Sequence, residues 1–102
     1  MADPTDVVMN DKTSRFEVTL GDDVAFAEYR LHPGYITLPH TVVPDAFAGK
    51  GVASALAKAA LGYAHEHHLT VKPTCSFMAG YIAKHPEHQD LLHPDFSGKP
   101  GL

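Results

Sequence analysis

The sequence predicts one α+β (mixed α/β) domain with a three-stranded antiparallel meander, a long helix, a fourth strand and a short C-terminal helix. Three observations predict this fold class. Apolar residues alternate with polar ones between residues 16 and 43, and from residue 51 they recur at steps of three and four. Such a change of period marks a change from strands to helix. The third observation is the length of 102 residues, which suits a single domain.

Composition and charge narrow the classes of function. Apolar residues make up 44% and charged residues 20%, as in ordinary globular proteins. The net charge is −4 and the basic residues are scattered, so we expect no nucleic-acid-binding surface. No apolar run approaches the ~18 residues that a membrane span needs, and the chain does not open on a signal-peptide pattern. Because Cys75 is the single cysteine, no intrachain disulfide can form, which favours a reducing compartment. Together these observations lead us to expect a cytoplasmic protein without membrane partners.

The domain is expected to occupy residues 14–93. Residues 1–13 are polar and lack a sustained period, so they are interpreted as a flexible arm. Residues 94–102 carry further Gly and Pro positions and are interpreted as a tail. A monomer or a weak homodimer is the expected state.

The first half of the domain is predicted to consist of strands and tight turns. Phe16, Val18 and Leu20 alternate with polar residues, which indicates a half-buried strand. Turn residues separate this strand from extended runs at 24–31 and 35–43. Short connections of this kind predict an antiparallel meander.

Pro39 interrupts the third of these runs. A proline gives no N–H to a ladder, so it predicts a bulge or break at a sheet edge. Strand alternation places Ile36, Leu38, His40 and Val42 on one face. His40 is either a core histidine with a structurally satisfied ring nitrogen or a base near a reaction site. The sequence leaves both interpretations open.

From residue 51 the pattern predicts a long amphipathic helix that runs to about residue 68. Its apolar stripe consists of Val52, Leu56, Ala59, Ala60 and Tyr63. Residues 69–75 are predicted to form the fourth strand and residues 77–84 the short helix. That helix is expected to end near His85-Pro86, because the residue before a proline avoids helical angles.

Gly49, Lys50 and Gly51 lie between the strands and the long helix. Glycine permits positive φ and close approach of a ligand, and a helix N-terminus presents free N–H groups to an anion. The Lys-Ser/Thr of a Walker A loop is missing, and so is the acidic residue expected about 20 positions after a dinucleotide fingerprint. A phosphate site and a purely structural turn remain as interpretations.

Several short motifs follow one another along the chain in a specific order. They are His40-Thr41-x-Val43-Pro44, Gly49-x-Gly51-x-Ala53, Pro73-x-Cys75-x-Phe77, Tyr81-Ile82 and His85-Pro86. In this order and spacing the chain resembles the GNAT superfamily, and within it the small single-domain GNAT-like N-acetyltransferases. The family signature Arg/Gln-x-x-Gly-x-Gly/Ala is matched at Gly51 and Ala53, while Ala48 stands in the place of Arg or Gln.

The resemblance implies an acetyl-CoA-binding fold whose third and fourth strands splay apart to admit the pantetheine arm. It implies an acyltransferase with acetyl-CoA as cofactor and CoA as product, acting on a primary amine of a small molecule or peptide. Val42 and Val43 would bind the pantetheine or thioester through backbone groups, and Tyr81 and Lys84 the adenosine end. The pyrophosphate would be held by Ala48, Gly49, Lys50, Gly51, Val52, Ala53 and Ser54.

Cys75 directly precedes the short helix, whose N-terminus favours a thiolate. In the proteins that the chain resembles, the cysteine at this place is the proposed catalytic residue. The resemblance therefore implies that Cys75 accepts the acetyl group or protonates the departing CoA thiolate. The alternative is a small buried hydrophobic residue.

The histidines at 65, 67 and 68 have no HExxH spacing, so no metal site is expected. Two other classes of function stay open. The first is a non-catalytic module that binds CoA or acetyl-CoA, because Ala48 lacks the side chain of the family signature. The second and weaker one is a His-rich metal-binding protein.

Overall fold

The computed structural model describes residues 7–47, 49 and 51–93. The strands are β1 (Val8–Asn10), β2 (Arg15–Leu20), β3 (Asp23–Glu28), β4 (Arg30–His32), β5 (Tyr35–Thr37), β6 (Thr41–Val42) and β7 (Thr70–Lys72). The helices are α1 (Val52–Glu66) and α2 (Ser76–Lys84), with 3₁₀ turns at Asp45–Phe47 and Pro86–Leu91. The predicted α+β class is therefore confirmed, with both helices close to their predicted places.

The strands form two sheets, which refines the predicted meander. One sheet has the order β1-β2-β3-β6 with antiparallel neighbours, and the other has the order β4-β5-β7. In the second sheet β4 and β5 are antiparallel, whereas β5 and β7 are parallel because α1 lies between them in the chain. The second and third predicted runs thus each divide between the two sheets, at Tyr29 and at Pro39.

The predicted N-terminal arm is wrong for residues 8–10, which form β1. This strand pairs with β2 in the register Met9↔Phe16, and the Asn10 side-chain amide donates to a Glu17 carboxylate oxygen at 3.0 Å. The polar composition that suggested an arm instead supplies these edge hydrogen bonds. Residues 1–6, and the predicted tail at 94–102, lie outside the described residues.

The core lies between α1 and the strands. Helix α1 packs against β2, β3 and β7. Its predicted stripe is confirmed at Val52, Leu56 and Ala60, which are buried, while Ala59 and Tyr63 are half-buried at its margin. Opposite it, the inward positions of the strands are Phe16, Val18, Ala25, Ala27, Ile36 and Val71, all buried. Burial of these faces is the main stabilising contribution and fixes the orientation of α1 on the sheet.

Pro39 marks the predicted break, and the structure confirms it. Residues 38–40 belong to neither sheet, and the chain changes partner there within two residues. The Leu38 N–H still donates to the Lys72 carbonyl at 3.1 Å, whereas the His40 carbonyl accepts the Glu28 N–H at 2.8 Å. Beyond Leu38 the described residues show no ladder pairing between the segment 73–75 and β6, and the two meet through the side chain of Cys75. We call this interruption of the pairing the β6 gap.

Candidate active site

One wall of the β6 gap is the free edge of β6. In antiparallel ladders, hydrogen-bonded pairs alternate with non-hydrogen-bonded pairs. Since His40 bonds to Glu28, its neighbour two positions on, Val42, directs its N–H and C=O to Phe26 of β3. Thr41 and Val43 then present their backbone groups to the gap. This corrects the expected backbone contact of Val42, whose groups are committed to the sheet, and is compatible with the one expected of Val43.

The other wall carries Cys75, the residue that caps α2. Its N–H donates to the Leu38 carbonyl at 3.0 Å, which fixes the backbone at the mouth of the gap. Its thiol donates across the gap to the Thr41 hydroxyl, with Sγ and Oγ1 3.6 Å apart. Cys75 is half-buried rather than a core residue, so the purely hydrophobic interpretation does not describe its place.

The pKa of Cys75 is lowered from its ordinary value. Partial burial, the largest single influence, raises the pKa, but hydrogen bonds to the thiolate together outweigh it. They come from the backbone of Met78 and Phe77 at the start of α2 and from the hydroxyl and backbone of Thr41. The thiol makes no full capping hydrogen bond in this geometry. A cysteine of this kind carries more thiolate at neutral pH than an ordinary one.

His40 does not lie where the sequence placed it. Ile36 and Leu38 are fully buried, but His40 is exposed and Val42 is 45% exposed. The shared face ends at Pro39 because the strand turns there from one sheet to the other. The buried-histidine interpretation is therefore wrong. Within the described residues, the hydrogen bond of the Cys75 thiol goes to Thr41 and not to His40.

The glycine turn lies at the N-terminus of α1. Gly49 has φ 74° and Gly51 has φ 72°, the left-handed region that glycine favours. Gly51 caps α1 without a side-chain hydrogen bond, and a Cβ built on either glycine would meet no atom within 4 Å. Free N–H groups and open space thus meet at one helix end. Ala48 and Lys50, also expected at this site, lie outside the described residues.

The other residues expected to hold the pyrophosphate differ in their exposure. Val52 is 1% exposed, so its side chain belongs to the core. Ala53 is half-buried and Ser54 is exposed. Ser54 lines an open groove of about 560 Å³ with Gly51 on the outer side of α1. It also lines a second groove along α2.

This second groove, the α2 groove, measures about 380 Å³ and is lined by Ser54, Ser76, Phe77, Gly80, Tyr81, Lys84 and His85. It brings Ser54 of α1 together with Tyr81 and Lys84, whose expected contact with the adenosine end stays a prediction. Sequence reasoning missed Thr41 and four of the groove residues. For the four groove residues the signal was the spacing of four at 76, 80 and 84 and at 77, 81 and 85, which marks one helix face. Thr41 carries no such local signal.

The histidine-rich segment at the end of α1 was considered above as a metal site. The histidines at 65, 67 and 68 are exposed, and within residues 7–93 as described, no group of three potential ligand side chains could hold a metal ion. In the same part of the chain, neither helix has the length and apolar composition needed to cross a membrane.

The structure thus has a strand that leaves its parallel neighbour beside a glycine turn at a helix N-terminus, the arrangement that the resemblance to the GNAT superfamily implied. Comparison with known proteins agrees. The profile of the GCN5-related N-acetyl-transferase family matches residues 15–91, and the chain belongs to this family.

Relatives and solved structures extend the comparison. Over 58 residues the chain is 43% identical to Protein NATD1 of Gallus gallus, and over 56 residues 43% identical to Protein NATD1 of Homo sapiens. The matches cover 57% and 55% of this chain, and the chain spans about half of the relatives' length, 53% and 50%. The NMR structure of a GCN5-like protein from Staphylococcus aureus superposes with a TM-score of 0.72 at 26% identity, over 91% of both chains.

Proposed function

We propose that the protein transfers the acetyl group of acetyl-CoA to a primary amine of a small molecule or peptide. The observation that carries the proposal is the β6 gap, where the Cys75 thiol lies 3.6 Å from the Thr41 hydroxyl, beside the edge of β6 that faces away from β3. A family assignment supports the same chemistry. The acceptor is stated as a class, because the residues of the gap that recognise an acyl donor do not specify an amine.

The residues fit the donor in three places. Thr41 and Val43 offer backbone hydrogen bonds along the free edge of β6, as an extended amide chain such as pantetheine requires. Gly49 and Gly51 leave space for a pyrophosphate at the positive end of α1. The α2 groove continues from Ser54 and would take the adenosine end.

The transfer step forms a C–N bond and breaks a C–S bond. The amine nitrogen attacks the thioester carbonyl carbon, and the electron pair of the C–S bond leaves with the CoA sulfur. Cys75 would protonate this leaving thiolate, and its lowered pKa makes the proton easier to give. The Cys75 thiolate so formed would take the surplus proton of the new amide nitrogen, directly or through water, which restores the thiol. A covalent relay, in which the Cys75 thiolate first takes the acetyl group, uses the same position.

The test combines donor binding with turnover. Calorimetric titration with acetyl-CoA measures binding, and chromatographic release of CoA over a panel of amines and peptides measures transfer. We expect Cys75→Ala to lower turnover by roughly 10²–10⁴-fold, as removal of a general acid does, with little change in donor affinity. Mass spectrometry after incubation with acetyl-CoA alone separates the relay, which leaves an acetyl adduct, from the proton donor, which leaves none.

Cys75→Ser is the matched control for packing, since it nearly preserves the shape of the side chain and removes the acidity. Normal turnover in both variants would overturn the role of the thiol. Binding of acetyl-CoA without turnover of any acceptor would instead support a non-catalytic binding module. The presence of Ala48, where the family signature has Arg or Gln, favours this alternative.

A further inference from the structure

The sheet β4-β5-β7 has one face in the core and a second face that points away from it. Ile36 of β5 and Val71 of β7 are partners in register, and both are fully buried. Because side chains alternate along a strand, their neighbours in sequence point to the opposite face. These outward residues are half-buried or exposed, and they are Arg30, His32, Tyr35, Thr37, Thr70 and Lys72. We call this surface the β5 face.

The β5 face is basic and aromatic. Its side chains form two rows across the strands, Arg30–Thr37–Lys72 and His32–Tyr35–Thr70. The His32 ring stacks on the Tyr35 ring, with centroids 4.4 Å apart and an interplanar angle of 13°. The Lys72 ammonium lies 4.5 Å from the centroid of the same Tyr35 ring. A cation over an aromatic ring is attracted by its π electrons, which helps to hold the ammonium on this face.

The charge of the β5 face is opposite to that of the whole chain. None of its six residues is acidic, although the net charge of the chain is −4. Glu28 adjoins the face, and its Oε1 accepts a hydrogen bond from Arg30 Nη2 at 3.1 Å. A guanidinium has five N–H groups, and the Arg30 side chain is 65% exposed, so donors remain for a second carboxylate.

The row Arg30–Thr37–Lys72 lies beside the β6 gap. Leu38 follows Thr37 directly, and its carbonyl accepts the Cys75 N–H at 3.0 Å. Lys72 precedes Cys75 by three residues, which span at most about 10 Å of chain. The helices that carry the glycine turn and the α2 groove pack in the core, on the other side of the sheet. An acceptor on the β5 face would therefore meet the thioester from the side opposite these helices.

We propose that the β5 face binds the acidic side chains of a peptide acceptor, so that amines close to Asp or Glu residues are acetylated in preference to others. This inference rests on the proposed acetyl transfer and narrows its acceptor class. In an extended peptide, an acidic residue at the second or third position lies within about 10 Å of the terminal amine, the same reach as from Lys72 to Cys75. Charge complementarity supports the proposal, because the Arg30 guanidinium suits a carboxylate and the same charges repel a Lys-rich acceptor.

The first test compares three tetrapeptide amides that each carry a free N-terminal amine. Their second and third residues are both Asp, both Asn or both Lys, and kcat/KM is measured by the release of CoA from acetyl-CoA. We expect the Asp peptide to exceed the Asn peptide by about tenfold, the value of one partly exposed charge-assisted hydrogen bond, and the Lys peptide to be the poorest. The preference should shrink at high salt, which screens exposed charges.

The outcomes of this test separate the two proposals. If the Asp and Asn peptides give the same kcat/KM, or if only small amines are acetylated, the acidic-peptide inference is refuted while the proposed function stands. If acetyl-CoA binds and no amine of any kind is acetylated, the proposed function fails, and this inference fails with it.

The second test assigns the preference to the β5 face. Arg30→Gln should reduce the ratio of the Asp to the Asn peptide towards one, and Arg30→Lys should retain part of it. The matched control is Lys12→Gln, which removes a positive charge from the exposed β1–β2 turn and should leave the ratio unchanged. A ratio that survives in Arg30→Gln and equally in Lys72→Gln would overturn the assignment.

A binding measurement that needs no turnover completes the test. When the Asp peptide is titrated into ¹⁵N-labelled protein saturated with CoA, the amide resonances of Arg30, Thr37 and Lys72 should shift. The Asn peptide at the same concentration should shift them less. Shifts that occur elsewhere and spare these three residues would refute the β5 face as the peptide site.

Discussion

Replacement of Gly51 by alanine tests the glycine turn most directly. Gly51 has φ 72°, and an L-residue in this region costs roughly 1–2 kcal/mol. The new Cβ meets no atom within 4 Å, so the free protein pays this backbone strain and no clash. For a domain of this size, each kcal/mol lowers the melting temperature by about 4–8 °C. Bound pyrophosphate would occupy the same open space, so we expect affinity for acetyl-CoA to fall by at least ~10-fold.

The matched control is Gly34→Ala. Gly34 has φ 83° and equally open surroundings, and it lies in the β4–β5 turn, at the opposite end of β5 from the gap. Calorimetric melting and acetyl-CoA titration of both variants should show similar destabilisation and a loss of affinity in Gly51→Ala alone. Equal affinities in the two variants would refute the placement of the pyrophosphate on this turn.

Further predictions concern the thiol, the core and β1. Thr41→Val removes the hydroxyl that donates to the Cys75 thiolate and lowers the pKa of Cys75, so iodoacetamide alkylation near neutral pH should slow. Thr41→Ser should preserve the rate, and equal rates in wild type and Thr41→Val would contradict the contact. The pKa of Cys75 is lower in the folded state than in the unfolded state. The thiolate therefore contributes its full stabilisation above the unfolded pKa, and this stabilisation is lost as the pH falls through the folded pKa. The unfolding midpoints of wild type and Cys75→Ala should diverge as the pH rises from the folded to the unfolded pKa. Leu56→Ala should destabilise the protein by about 2–5 kcal/mol in urea unfolding, since Leu56 is fully buried. Asn10→Ala should cost about 1 kcal/mol through its lost bond to Glu17, and no loss would mean that β1 is held by backbone pairing alone.

The break at Pro39 and the turn at Gly51 could be predicted from the sequence because each follows from one residue's backbone chemistry. Proline lacks a ladder donor, and glycine tolerates positive φ, whatever surrounds them. The stripe of α1 is predictable for a similar reason, since burial of one helix face depends on local period.

The predictions for β1, His40 and Thr41 failed because their places in the fold depend on residues distant in sequence. β1 is a strand because β2 offers it an edge, and its three residues, Val8–Asn10, are too few to show a period of their own. His40 lies off the buried face because the chain pairs with β7 up to Leu38 and with β3 from His40 onward. The alternation of apolar and polar residues does not reveal this change of pairing partner. Thr41 was missed because its contact with Cys75 joins positions 34 apart in the chain.

The β6 gap also bears on how the two sheets hold together. β6 is two residues long, and beyond Leu38 the gap interrupts the backbone pairing that would make one continuous sheet of β3, β6 and the segment 73–75. A ligand with its own amide groups that fills the gap would act as the missing strand and mechanically couple the halves. The domain would then melt as a tighter unit, by about 2.7 kcal/mol at a ligand concentration of 100 Kd. Amide exchange at Thr41 and Val43 would slow first.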